Sequence, residues 1–342
     1  MSMKTKKTQT GLTMVELMVA LAIGSFLIIG AVQIYNQSRQ AFTVNESIAR
    51  VQETAQFAMD TLEADLRMAS NWGNTSRPLM IEGRSLSAAA TGAAAQPNPL
   101  GLVAPPDCGA DWSLNLSATV DGSNNNYDLL CAAKGGASPA AQAMSDIITV
   151  RRATVEPVAP LDGALQIQTT RMQGQIFHDG NVPADFSTDI NPNTGEPFST
   201  THNLIINSYY VSQDSDLIPG APALRRKSLG IGLAGPIIID EEVAPGVENI
   251  QLQIGVDIDE DNTVDRYVNP GDPIYDPDDP GYIPGARVIT ARFWIVVRGL
   301  APEVGIQDIR DYEPGDVDLG TYNDGFRRMV VSKTILMRNA RI

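Results

Sequence analysis

Reactive side chains are scarce in this sequence of 342 residues, which has two histidines, two cysteines and 6% aromatics. With His178 and His202 the only imidazoles, there is no HExxH helix to hold zinc and no GxSxG turn to present a serine. Catalysis is therefore not expected. Positive charge is also short: 25 Lys+Arg against 40 Asp+Glu leave a net charge of −15, and Arg225-Arg226-Lys227 is the only tight basic run. Such a surface repels phosphate backbones, which excludes nucleic acid as a partner. Proline is missing between residues 12 and 77, although the chain has 22 prolines and 29 glycines. A long helix is thus permitted at the amino end, while the remainder favours strands joined by loops.

What is present at the amino end is a basic cluster, Lys4, Lys6 and Lys7, followed by a stretch from Leu17 to Ser38 without a charge. A helix needs about 20 mainly apolar residues to cross a bilayer, so this stretch can span one. Lysines before it and none until well after it place the amino terminus in the cytoplasm and the rest of the chain outside. No Ala-x-Ala site closes the run, unlike an ordinary secretory signal. Glu16 is the anomaly, because an ionised group at the edge of the apolar run costs on the order of 3 kcal/mol. The next basic residue is Arg39. Cleavage between Gly11 and Leu12 would create an α-amino group four residues before Glu16, and that amine on a neighbouring subunit is the natural counter-charge.

The run Lys6-Lys7-Thr8-Gln9-Thr10-Gly11-Leu12-Thr13-Met14-Val15-Glu16 and the apolar residues after it resemble the class III signal of type IV pilins and pseudopilins. The resemblance implies that a prepilin peptidase cuts after Gly11 on the cytoplasmic face and methylates the new terminus, with Glu16 as the fifth mature residue. Leu12 stands where the family usually has Phe. Losing the three leader lysines would take the net charge from −15 to −18. The alternative reading is an unprocessed signal-anchor.

The rest of the chain resembles the PilW-type minor pilins, which are akin to the J-type pseudopilins of type II secretion. Ala49-Arg50-Val51-Gln52-Glu53, Phe57-Ala58, Leu66-Arg67-Met68-Ala69 before Trp72-Gly73, the stretch 255–267 and Thr334 to Asn339 carry this likeness. It implies a single-pass inner-membrane protein with a periplasmic domain, later extracellular in a pilus, acting in pilus assembly or initiation at or near the tip. Implied partners are other minor pilins, the major pilin, prepilin peptidase, the inner-membrane assembly platform and a tip adhesin. A J-type pseudopilin is the alternative from the same family, and a membrane-anchored enzyme is the distant third.

The apolar helix is expected to continue beyond the membrane, since Ile48, Val51, Ala55, Ala58, Leu62, Leu66 and Ala69 recur at steps of three or four. Glu46/Arg50 and Glu63/Arg67 form i,i+4 pairs on the exposed side. One helix from about Leu12 to Ala69 follows, stopped at Asn71-Trp72-Gly73-Asn74 by residues that favour the left-handed cap. The segments read as a leader (1–11), a membrane or filament-core helix (12–38), an amphipathic extension (39–73), a variable loop region (74–143) and a β-rich domain (144–342). Strands are expected at 146–152, 165–170, 204–211, 250–254, 288–298 and 329–337, most of them alternating apolar with polar. The fold class is α+β, with the amphipathic helix covering one antiparallel sheet.

Asp257, Asp259, Asp261 and Asp265, with a backbone carbonyl at Thr263, have the spacing of a calcium loop. Asn262 replaces the turn glycine and Val268 the final Glu, so a solvated acidic turn is the equal alternative. Calcium is the cofactor that this spacing offers. Cys108 and Cys131 flank a turn-rich stretch; outside the cytoplasm they would form a disulfide worth roughly 3 kcal/mol, the alternative being two buried thiols. The acidic stretch 272–280 reads as a plain surface loop. Gly230, Gly232 and Gly235 match GxGxxG, but Pro236 to Ile239 after them read as strand, not the helix a dinucleotide needs.

Overall fold

The computed structural model describes residues 11–86, 96, 98–102, 108, 112–134, 140–232, 235–303 and 305–340. The leader lysines and the alanine-rich stretch 87–95 lie outside the described residues. Among the described residues one α-helix runs from Met14 to Met68, and twelve strands follow. The helix is uninterrupted because residues 14–68 contain no proline and many strong helix formers. The chain divides into two units at Arg50/Val51.

In the first unit the described chain is almost wholly helix, and apolar residues are exposed on every side of it, Leu17, Met18, Val19, Leu21 and Phe26 among them. From Val51 onward the helix belongs to the second unit. There Val51, Ala55, Ala58, Met59, Leu62 and Leu66 are buried in one apolar cluster. Fully burying a side chain such as Leu62 or Leu66 contributes about 1.5–3 kcal/mol.

Among the described residues two sheets stand where one was expected. The larger is ordered β1 (Ile81–Glu82), β5 (Gly174–Asp179), β4 (Asp162–Thr169), β6 (Thr200–Ser212), β3 (Ile147–Ala153) and β2 (Val120–Ser123), with β7 (Ala223–Gly232) paired to β6 and β8 (Gly235–Pro245) to β7. The smaller is ordered β10 (Arg266–Val268), β9 (Val247–Asp257), β11 (Arg287–Arg298) and β12 (Arg328–Leu336). All pairs are antiparallel except β1 with β5, so the α+β class holds with a mostly antiparallel sheet domain. Ile250, Leu252 and Ile254 of β9, Ala291, Phe293 and Ile295 of β11 and Tyr209 and Val211 of β6 share one buried apolar cluster with the helix.

The strands expected at 146–152, 165–170, 204–211, 250–254, 288–298 and 329–337 correspond to β3, β4, β6, β9, β11 and β12. Sequence reading missed the short β1, β2 and β10 and also β5 and β7, whose glycines and charges hide the alternation, and it took only Pro236 to Ile239 of β8 for strand. It also took 74–143 for loop, yet Trp112, Leu114 and Leu116 are buried in a second apolar cluster with Trp72, Ile167 and Ile206. The Trp112 indole donates to the Ser208 hydroxyl at 2.7 Å, which gives its polar edge a partner in the core. Cys108 and Cys131 are joined by a disulfide, and Cys108 is buried in this second cluster.

The helix ends one residue before Ala69, and Ser70 takes the first left-handed conformation (φ 64°). Gly73 takes a later one, at φ 79°. The stretch 272–280 departs from a plain surface loop. Its Ile274, Tyr275 and Asp278 are buried, and Asp278 pairs with Arg84 at 2.8 Å.

Candidate functional site

The helix begins with a capping box. Thr13 N–H and its hydroxyl both donate to Glu16 Oε2 at 2.9 Å, and Glu16 N–H donates to Thr13 Oγ1 at 3.3 Å. The pattern Thr-x-x-Glu at a helix start was legible in the sequence and was not read. Glu16 is thus a helix cap within its own chain. It remains exposed, and so does Leu12. At Gly11 a Cβ would meet no atom within 4 Å, so packing does not require glycine there.

A helix that is apolar on all sides must be surrounded by lipid or by other apolar helices. Among the described residues this is the one helix long and apolar enough to cross a membrane, and none of its most apolar stretch is buried. The predicted pair Glu46/Arg50 forms at 2.7 Å.

Asp65 holds the helix to the larger sheet, and sequence reading overlooked it. Its Oδ1 accepts from Arg152 Nε at 3.0 Å and Nη2 at 2.7 Å, while its Oδ2 accepts from Asn207 Nδ2 and the Tyr209 hydroxyl, each at 2.5 Å. Burial and the adjacent carboxylate push the Tyr209 hydroxyl up, which keeps it a donor. The available signal was positional: Asp65 falls on the apolar stripe, three residues after Leu62 and four before Ala69. Glu63 makes a second tie, to Lys333 of β12 and to Arg67. The hydrogen bond from Lys333 draws the Glu63 carboxyl below its usual range.

His202 is buried, with Nδ1 2.8 Å from the Thr154 carbonyl and Nε2 2.8 Å from Thr200 Oγ1. The Thr154 carbonyl can only accept, so Nδ1 carries a proton, and the Thr200 hydroxyl beside Nε2 also accepts from Asn74 Nδ2 at 2.8 Å. Burial lowers the His202 pKa. His178 is on β5. The basic run is neutralised: Arg225 pairs with Asp216 and Asp240, Arg226 with Glu241, and Lys227 with Asp240. Gly230, Gly232 and Gly235 lie in the β7–β8 pairing, where Ile237 and Ile239 lie against Gly232 and Gly230.

Of the proposed metal ligands, Asp257, Asp259 and Asp265 each bring an oxygen within 4.8 Å of the others. Asp261 is not among them; its Oδ1 accepts from the N–H and hydroxyl of Thr263, at 2.7 and 2.6 Å, and these bonds lower its pKa. Asp257 ends β9, where its Oδ2 accepts from Arg287 Nη2 and Asn262 N–H, both at 2.9 Å.

Comparison with known proteins brings two matches. Residues 208–339 match the family model described as Type IV Pilus-assembly protein W, and residues 6–32 match the prokaryotic N-terminal methylation motif. Neither the curated proteins nor the solved structures yielded a match. The two family matches fit a PilW-type type IV minor pilin with a role in pilus assembly and in contact with other pilus components. Together with the apolar helix, the methylation motif fits an inner-membrane-anchored pilin that later enters the pilus.

Proposed function

We propose that this chain is a minor type IV pilin cut by prepilin peptidase between Gly11 and Leu12, methylated at Leu12, and built into an initiating complex at or near the filament tip. Before assembly it crosses the inner membrane once, with the amino terminus cytoplasmic and residues 51–342 periplasmic. The carrying observation is the methylation motif at 6–32 on a helix whose apolar surface is exposed all round. Such a surface requires lipid first and neighbouring helices afterwards. Gly11, which nothing in the fold demands, suits a residue read by an external peptidase. Glu16, capped by Thr13, keeps a carboxylate at the membrane edge that a neighbour's freed amine can meet.

The large sheet domain supplies the surface for partners: other minor pilins, the major pilin, the assembly platform and a tip adhesin. The test is recovery from sheared filaments after cross-linking, with the captured proteins identified by mass spectrometry. The chain should appear in the sheared fraction joined to pilins. Its confinement to the membrane fraction, joined to secretion-system pseudopilins or to no filament subunit, would overturn the reading.

A further inference from the structure

Asp257, Asp259 and Asp265 form the one convergent group of His, Cys, Asp or Glu ligands among the described residues. Asp257 is fixed at the end of β9, and Asp265 N–H donates to the Val256 carbonyl at 2.9 Å as the chain turns back into β10. The hairpin therefore holds the three carboxylates together by backbone pairing. Neither Asp259 nor Asp265 has an ion-pair partner among the described residues, and like charges this close repel unless something neutralises them.

A second observation is independent of the clustering. The Asp257 side chain is 0% exposed, and its Oδ1 has no hydrogen-bond partner, although Oδ2 has two. A buried carboxylate oxygen without a partner is costly and uncommon in folded proteins. A cation between Oδ1 and the oxygens of Asp259 and Asp265 would supply what is missing.

We infer that Asp257, Asp259 and Asp265 bind a calcium ion at the β9–β10 hairpin. All three ligands are hard carboxylate oxygens, and oxygens on one calcium ion stand up to about 5 Å apart, since each bond is 2.3–2.6 Å. Arg287 stays on Oδ2, where it offsets part of the negative charge. With three protein carboxylates and the remaining positions left to water, the affinity falls in the range of extracellular modules, on the order of 10⁻⁴ to 10⁻³ M. The bound ion would lock the hairpin to β9, at the edge of the smaller sheet. The competing arrangement closes Arg287 onto both Asp257 oxygens, which would satisfy Oδ1 and the buried, unpartnered Arg287 Nε together. That arrangement gives no calcium response.

The experiment uses the full chain in detergent, stripped of metal by chelation, and follows calorimetric titration and thermal unfolding with calcium or magnesium chloride at constant ionic strength. Calcium should bind at one site and raise the melting temperature, because a ligand that binds only the folded state stabilises it by mass action. Asp259→Asn, at an exposed position, should keep or raise the metal-free melting temperature, since it relieves the repulsion, and weaken calcium binding by about tenfold or more. No calcium binding up to about 10 mM, a decade beyond the weakest such modules, would overturn the inference. So would a thermal shift that magnesium matches and Asp259→Asn retains, since that is general screening.

Discussion

Arg152 of β3 grips Asp65 of the helix through two nitrogens on a single carboxylate oxygen, leaving the other oxygen to Asn207 and Tyr209. One buried side chain thereby ties the helix to two neighbouring strands of the larger sheet. Because Asp65 is buried and all its partners lie on the sheet, removing it leaves Arg152 uncompensated. Asp65→Ala should cost about 3–5 kcal/mol, the usual loss when one member of a buried ion pair is deleted. Urea unfolding of the full chain in detergent checks this. In the double variant Asp65→Ala with Arg152→Ala, the combined loss should be well below the sum of the single ones.

Gly73 should resist substitution for two separable reasons. A Cβ at Gly73 would stand 2.4 Å from His202 Cδ2, and its φ of 79° is left-handed. Gly195 has a φ of 74° with nothing within 4 Å of the same atom. Gly195→Ala therefore pays only the backbone strain, about 1–2 kcal/mol. Gly73→Ala should lose about 2–4 kcal/mol, since overpacking adds to the strain. Combining it with His202→Ala should recover the packing part, as read from the same urea midpoints.

Stability should depend on pH through His202. Burial lowers its pKa in the folded chain below the usual 6.5. Above 6.5 both states are neutral there and the residue contributes no slope. As pH falls below 6.5 the unfolded chain takes up the proton first, so stability drops until the folded pKa is passed. Burial also pushes the Asp146 carboxyl up to about 7, which acts with the opposite sign in the same window, so the His202 part is read by difference: the melting temperature of wild type should fall relative to that of His202→Asn as pH drops from 8 to 5.

Much of this was legible in the sequence, and the reason is periodicity. The apolar run, the stripe through Leu62 and Leu66 and the alternation in β9 and β12 repeat at the spacing of the element they form, and β6 and β11 carry the β-branched and aromatic runs of strands buried on both faces. Elements without such repeats were not legible. The β7–β8 pair carries Arg225, Arg226 and Lys227 on one strand and Asp240, Glu241 and Glu242 on the other, and their meaning lies in the pairing across strands. Trp112 looked like part of a loop because its partner Ser208 is 96 residues away. Asp65 and the Thr13–Glu16 cap had local signals, a charge on an apolar stripe and a Thr-x-x-Glu start. At the acidic hairpin, spacing identified the cluster but could not tell that Asp261 would turn to Thr263 instead of joining the other three.

Glu16→Ala should separate insertion from assembly. Removing a carboxylate at the membrane edge leaves insertion intact or improved. What the helix end loses is the Glu16 carboxylate that accepts from the Thr13 N–H and hydroxyl, while Thr13 Oγ1 still accepts from the N–H at position 16, so the helix start stays capped. Entry into filaments should fall several-fold, because the counter-charge for a neighbour's amine is gone. Immunoblots of membrane and sheared fractions measure both, and normal recovery of the variant in sheared filaments would contradict the pairing.

The central claim is processing at Gly11, since a pilin that keeps its leader cannot present the amine that Glu16 is proposed to meet. The direct measurement is mass spectrometry of the amino-terminal peptide from chain extracted from membranes and from sheared filaments. The account predicts Leu12 as the first residue, bearing one methyl group on its nitrogen, in cells with active prepilin peptidase. A chain that still carries Lys4, Lys6 and Lys7 ahead of an intact Gly11–Leu12 bond in those cells would contradict it.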